Sequence, residues 1–175
     1  MTAATQLGVS RPAIVLATWF GIGHIPLVGP LLAAVSALPA AWILLWLGGS
    51  YGGGVLFIAT TLLFWSSLWA VSVYWRAAPH LAHRRVVVDN VVGQWLPLMF
   101  VRPDAAWQFA AAFVLFRIME VVKPWPANWA AENLPAGWGM MLDDFFAGVY
   151  AADLMYVTVH LWEHPYVAGL VERTL

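Results

Sequence analysis

The sequence predicts an all-α integral membrane protein: one polytopic bundle of about four spanning helices, with shorter re-entrant or interfacial helices between them. Three observations carry this. Hydrophobic residues make up 62% of the 175 residues and charged residues only 10%, against roughly 25% charged in an ordinary soluble domain. Several apolar runs come close to or exceed the ~20 residues that cross a bilayer's hydrocarbon core. The few ionisable residues inside those runs cluster toward the same predicted ends. The length suits a single domain over residues 1–175, and no internal repeat, low-complexity tract or linker divides it.

The elements follow in chain order. Residues 1–10 carry no base, and Pro26 and Pro30 interrupt the apolar run after them, so a cleaved signal peptide is not expected. Residues 13–20 form a run too short to cross squarely. Residues 31–47 are a spanning candidate, interrupted by Pro39 and ended by Gly48 and Gly49. Residues 51–75 hold no charge at all and are the securest span; Gly52, Gly53 and Gly54 read as its loose start. Residues 91–101 are again too short, which suits a re-entrant or steeply packed helix. Residues 105–122 carry Arg117 and Glu120 in their last two turns. Residues 139–162 carry Asp143 and Asp144 in their first two turns.

Orientation follows from the bases. Arg76, Arg84 and Arg85 lie in one connection and Lys123 in another, whereas the connection near Gly49 has none and that near Pro103 has only Arg102. The positive-inside rule makes the first two connections cytoplasmic. If residues 91–101 cross outward, one topology collects residues 21–30, Asp89, Arg117, Glu120, Lys123, Asp143 and Asp144 at the cytoplasmic leaflet. A net charge of -1 argues against nucleic acid as a partner. The absence of cysteine removes disulfides and thiolate chemistry.

Adjacent carboxylates in a spanning helix are expensive and mark a functional site. Asp89, Glu120, Asp143 and Asp144 are hard oxygen donors of the kind that hold Mg²⁺, which takes one or two carboxylates and leaves its other positions to water and phosphate. Arg117 and Lys123 suit phosphate oxygens. Arg117 and Glu120 are i, i+3 neighbours and Lys123 lies three further on, so the three share a helix face. Carboxylates, metal and a cationic clamp are the parts of a phosphoryl-transfer site.

These residues also carry a family resemblance. Phe116-Arg117-Ile118-Met119-Glu120, then Lys123-Pro124-Trp125-Pro126, then Gly137 to Asp144 followed by Ala147-Gly148, resembles the C-terminal signature of the phosphatidylglycerophosphatase A family. Val88-Asp89-Asn90 with Gly93 and Trp95 is similar to its Asp-Glu motif, and Gly21-Ile22-Gly23 with Pro26 to its N-terminal glycine motif. The resemblance spans about residues 14–160. It implies an all-helical, Mg²⁺-dependent lipid phosphatase of the bacterial inner membrane. Such an enzyme removes the terminal phosphate of phosphatidylglycerophosphate, with its site at the cytoplasmic leaflet. It further implies metal binding by Asp89, Glu120, Asp143 and Asp144, and catalysis by Asp143, Asp144, Lys123 and Arg117, on an anionic phospholipid in the bilayer.

Three positions depart from the family pattern. Asn90 replaces a carboxylate, Glu120 replaces an aspartate, and Gly29-Pro30-Leu31-Leu32-Ala33-Ala34 replaces a Pro-Gly-Thr-x-Gly-Ser element. They define a second reading: a relative without activity, serving as a lipid-binding or accessory subunit beside a membrane-complex partner or a second copy. Elsewhere the bland readings prevail. His24 is expected to be satisfied by nearby backbone. His80, His83, His160 and His164 show no metal spacing, Asp153 lacks a family counterpart, and the twelve tryptophans suit interfacial belts and helix packing.

Overall fold

The structure, a computed structural model, describes residues 8–162; His164 lies outside them. Within that range the chain is helical and contains no strand. α1 (Arg11–Ala17) starts with a proline in its first turn and ends at Thr18, whose hydroxyl donates to Ile14 O (2.7 Å) and accepts from the Gly21 amide (3.1 Å). Trp19, Phe20 and Gly21 then adopt positive φ, reversing the chain into a 3-10 turn at Ile22–His24. A Cβ on Gly23 would run into the Arg85 carbonyl, and Val87 N donates to Ala17 O (3.0 Å). The N-terminal segment is thereby fastened to the loop that leads into the site.

α2 (Gly29–Gly48) and α3 (Gly52–Ala77) form an antiparallel hairpin through a 3-10 turn at Gly49–Tyr51. Ala33, Ala37, Ala41 and Leu45 recur every fourth residue as the buried stripe of α2. The start of α3 is tight rather than loose. A Cβ on Gly52 would stand 2.6 Å from Leu45 O, and one on Gly53 would stand 2.7 Å from Met99 O. The remaining helices are α4 (Pro79–Arg85), α5 (Val88–Leu98), α6 (Ala106–Val122), α7 (Ala127–Asn133) and α8 (Ala136–Trp162).

Two stretches, Gly29–Ala77 and Gly137–Trp162, are long and apolar enough to cross a membrane, and the first of them contains the α2–α3 hairpin. Only 28% of the most apolar window in each is buried. The outward face of the first carries Leu32, Ile43, Phe57, Ile58 and Leu62 together with Trp42, Trp46, Trp65 and Trp69, and that of the second Leu154, Val157 and Leu161. Helices apolar on every side suit a lipid solvent. The tryptophans divide as packing chemistry requires. Trp19 and Trp95 meet edge to face at 6.4 Å inside the bundle, where Trp95 Nε1 donates to Ala37 O (3.0 Å), while Trp42 and Trp46 stack on the outside. Asp153 sits on the exposed face of α8, without an ion pair among the described residues.

α5 organises the bundle. Every one of its eleven residues is buried, and at ~16 Å it is about half the length of a bilayer core. It packs against α2, α3, α6 and α8. Its crossing with α8 is a backbone contact: a Cβ on Gly148 would collide with the Gly93 carbonyl. One on Gly93 would lie 2.5 Å from the Phe116 ring and 2.6 Å from Asp144 O. Small residues are what let helices come this close.

Gly148→Val should therefore lower the melting temperature of the detergent-purified protein by roughly 2–12 °C, at about 1–3 kcal/mol for overpacking and about 2–4 °C per kcal/mol. Gly54→Val, whose Cβ meets open space, should shift it by no more than about 2 °C. Circular dichroism melts of the two variants check this, and equal shifts would refute the close-crossing account.

Candidate active site

Four helices deliver the polar residues to one end of the bundle. Asp89 and Asn90 open α5 and are each only 6% exposed. Glu120 closes α6. That helix stops because Lys123 takes a left-handed conformation (φ 47°) ahead of Pro124, which cannot continue it. The reversal turns the Lys123 ammonium toward α8, where it forms an ion pair with Asp143 Oδ2. The Trp125–Pro126 bond is cis, and Tyr150 Oη donates to Trp125 O (2.7 Å), fastening the loop to α8.

α8 begins at Ala136, three residues before the expected start. Pro135 O accepts from the Trp138 and Gly139 amides and initiates the helix, while Gly139 is a close-packing point against Ala130 O. Asp143 and Asp144 consequently lie in the third turn of α8 rather than the first two. At that depth the helix dipole, which acts over the first turn, does not account for two buried carboxylates.

Asp89, Glu120, Lys123, Asp143 and Asp144 line one cavity of about 240 Å³, together with Pro30, His83, Val86, Asn90 and Met140. Arg117 does not line it. Its Nη1 donates to Asn90 Oδ1 (3.1 Å) and lies 2.5 Å from Glu120 Oε2, an ion pair whose angle falls short of a hydrogen bond. Asn90 in turn donates from its backbone N (2.9 Å) and its Nδ2 (3.2 Å) to Asp89 Oδ1. A chain of contacts thus runs Glu120–Arg117–Asn90–Asp89. His24 meets the expected backbone partner, Gly21 O, through Nδ1 only; its Nε2 is buried without a partner, and the residue is not part of the cavity wall.

The charges do not balance. Four carboxylates face two cations, Asp144 has no hydrogen-bond or ion-pair partner among the described residues, and Asp143 Oδ1 is buried and unpaired. Burial works to lower the pKa of Lys123. The hydrogen bond and charge of Asp143, with the charges of Asp144 and Glu120, outweigh it and hold the ammonium above its ordinary range. Lys123 therefore carries its charge throughout the neutral pH range. Among the described residues no three acidic or histidine side chains are placed as a ready-made metal cage. The donor chemistry nevertheless suits a hard cation held by one or two carboxylates.

The structure brings five of the six expected side chains to one cavity and places Arg117 behind it, in the i, i+3 pair with Glu120 that the helical spacing suggests, while its contact with Asn90 across the bundle is not readable from spacing. Sequence reasoning missed His83, since nothing in Ala82-His83-Arg84 distinguishes a cavity wall from an interfacial base. It also took Asn90 for a lost carboxylate, although its amide both donates and accepts.

An all-helical bundle with apolar outer faces and a buried acidic pocket at one end has the form of a membrane-associated protein. The chain belongs to the phosphatidylglycerophosphatase A family, whose model matches residues 15–159. It is 32% identical to phosphatidylglycerophosphatase A of Escherichia coli K12, over 91% of each chain. It is 33% identical to a Bacteroides thetaiotaomicron protein described as a candidate phosphatidylinositol-3-phosphatase, over 85% of this chain and 96% of that one. A Haemophilus influenzae phosphatidylglycerophosphatase A is 36% identical over 46% of this chain and 48% of its own. No solved structure matches the chain.

Because Asn90 donates to one carboxylate and accepts from Arg117, a carboxylate in its place should harm the fold. Asn90→Glu should cost about 1–3 kcal/mol, by removing a buried donor and adding a like charge beside Asp89. Denaturant or thermal unfolding in detergent measures this, and unchanged or raised stability would contradict the network.

Proposed function

We propose that the protein is a lipid phosphatase that hydrolyses the terminal phosphomonoester of phosphatidylglycerophosphate to phosphatidylglycerol and inorganic phosphate. The observation that carries this reading is the single cavity in which Lys123 and four carboxylates converge, in a chain of this family. The relative described as a phosphoinositide phosphatase keeps the reaction class, a phosphomonoester on a membrane lipid, while changing the headgroup.

Each residue then has a task. Lys123, charged and tethered to Asp143, holds a non-bridging phosphate oxygen. Arg117 acts from behind, fixing Glu120 and, through Asn90, Asp89. Asp144, whose carboxylate is unpaired, takes a proton from the attacking water as the water oxygen bonds to phosphorus. The bond from phosphorus to the glycerol oxygen breaks, and the leaving oxygen takes up the proton. One or two of the carboxylates Asp89, Glu120, Asp143 and Asp144 would hold Mg²⁺, which when bound neutralises phosphate charge and polarises the phosphorus–oxygen bonds. The excess of carboxylates over cations and the orphaned Asp143 Oδ1 favour such an ion.

In this reading α2, α3, α6 and α8 cross the bacterial inner membrane and α5 is buried among them. The site end, which also carries Arg76, Arg84 and Arg85, faces the cytoplasm. The chain has no cysteine, so single cysteines report topology cleanly. Ser50→Cys should react with a membrane-impermeant maleimide in intact cells, and Glu132→Cys only after permeabilisation. The reverse pattern would invert the orientation.

The activity is tested by phosphate release from phosphatidylglycerophosphate by purified protein, with Mg²⁺ or EDTA. Release should depend on the metal and fall by about 10²-fold or more in Asp143→Asn and Asp144→Asn, the range seen when charge-stabilising groups are removed. Folded wild-type protein with no release above these variants would instead favour the accessory-subunit reading.

A further inference from the structure

A second concavity, of about 530 Å³, lies beside the acidic cavity and is lined by Trp75, Pro79, His80, Leu81, His83 and Arg84. His83 belongs to both walls, so one side chain separates the two spaces. Their chemistry is opposite. Residues 51–88 contain no aspartate or glutamate. Arg76, His80, His83 and Arg84 are exposed, and none forms an ion pair among the described residues. Trp75 meets the His83 ring edge-on at 6.4 Å and 83°, which fixes the dividing side chain, and Pro79 and Leu81 give the groove an apolar rim.

An unpaired basic groove sharing a wall with an acidic pocket needs an occupant with two anionic groups in different surroundings. We propose that this groove is a second anion subsite, which receives the phosphodiester of a two-phosphate lipid while the terminal phosphomonoester of the same molecule enters the acidic cavity. This rests on the lipid-phosphatase reading above. Only the terminal phosphate has to meet the carboxylates, which would hold the cation that offsets its charge. The phosphodiester carries charge that the carboxylates would repel. Arg84 offers a planar fork of donors to its oxygens, His80 and His83 add ring N–H groups, and Trp75 with Leu81 borders the glycerol at the depth where amphipathic rings settle in a bilayer. The groove thereby becomes the element that selects a two-phosphate lipid over a lipid with a single phosphomonoester.

The test uses the full-length protein in detergent, with Arg84→Gln, His80→Gln and the conservative Arg84→Lys, each matched to wild type by melting temperature. Binding is read by native mass spectrometry with phosphatidylglycerol, which keeps the phosphodiester and lacks the terminal phosphate. Turnover is read as kcat/KM on phosphatidylglycerophosphate relative to phosphatidic acid, which has the phosphomonoester alone. Arg84→Gln should weaken phosphatidylglycerol binding by tenfold or more and lower the kcat/KM ratio by at least tenfold, through KM for the two-phosphate lipid. Arg84→Lys should recover most of both. Unchanged binding, or an equal fall on both substrates, would overturn the subsite. If wild type hydrolyses neither lipid, the phosphatase reading fails, and the binding arm still decides the groove by the same tenfold criterion.

Discussion

The contact between Gly93 of α5 and Gly148 of α8 is the constraint on which the rest of this protein depends. Two helices that meet backbone to backbone bring their flanking residues to the same level. Here those residues are Asp89 and Asn90 on one helix and Asp143 and Asp144 on the other. Phe116 closes the crossing from α6, and one turn further along α6 Glu120 joins the carboxylates. Wider spacing would let lipid or apolar side chains between the acidic groups. A short, fully buried α5 achieves this because it needs no outer surface of its own: longer helices supply the apolar exterior, and α5 sets Asp89 and Asn90 beside the carboxylates of α6 and α8.

Burying that much charge is tolerable only because each group has a defined surrounding. Lys123 neutralises Asp143, Arg117 neutralises Glu120, and Asn90 distributes the remaining strain by linking Arg117 to Asp89. What is left over is the unpaired carboxylate of Asp144, on the cavity wall, and one buried oxygen of Asp143. A site of this kind is under-neutralised by construction, which favours cations and, through them, the phosphate groups that accompany cations in lipid headgroups.

The apolar runs at residues 31–47, 51–75 and 105–122 were legible as helices from their length and composition, and Gly29–Gly48, Gly52–Ala77 and Ala106–Val122 follow them closely, although only the first two lie in a stretch long and apolar enough to cross a membrane. The run at 91–101 was legible as too short to cross but not as the hub of the bundle, since complete burial depends on partners outside its own sequence. The start of α8 lies before the apolar run at 139, because Gly137 and Gly139 are places where Ser72 and Ala130 come close. At the site, the carboxylates and the lone lysine were legible because they stand out against an apolar background, and the Arg117–Glu120 pair because it follows helical spacing. The link from Arg117 through Asn90 to Asp89 was not, because it joins helices far apart in sequence. The glycine triplet at 52–54 teaches the same lesson, tight packing having been taken for looseness.

Lys123 is the chain's single lysine, and it sits inside the cavity, salt-linked to α8. Apart from the chain terminus, every amine the protein possesses is therefore at one address. Amine-directed acylating reagents, usually scattered over a protein surface, become occupancy probes for this cavity: the extent of their reaction measures how often the Lys123–Asp143 pair opens and whether anything already holds the ammonium.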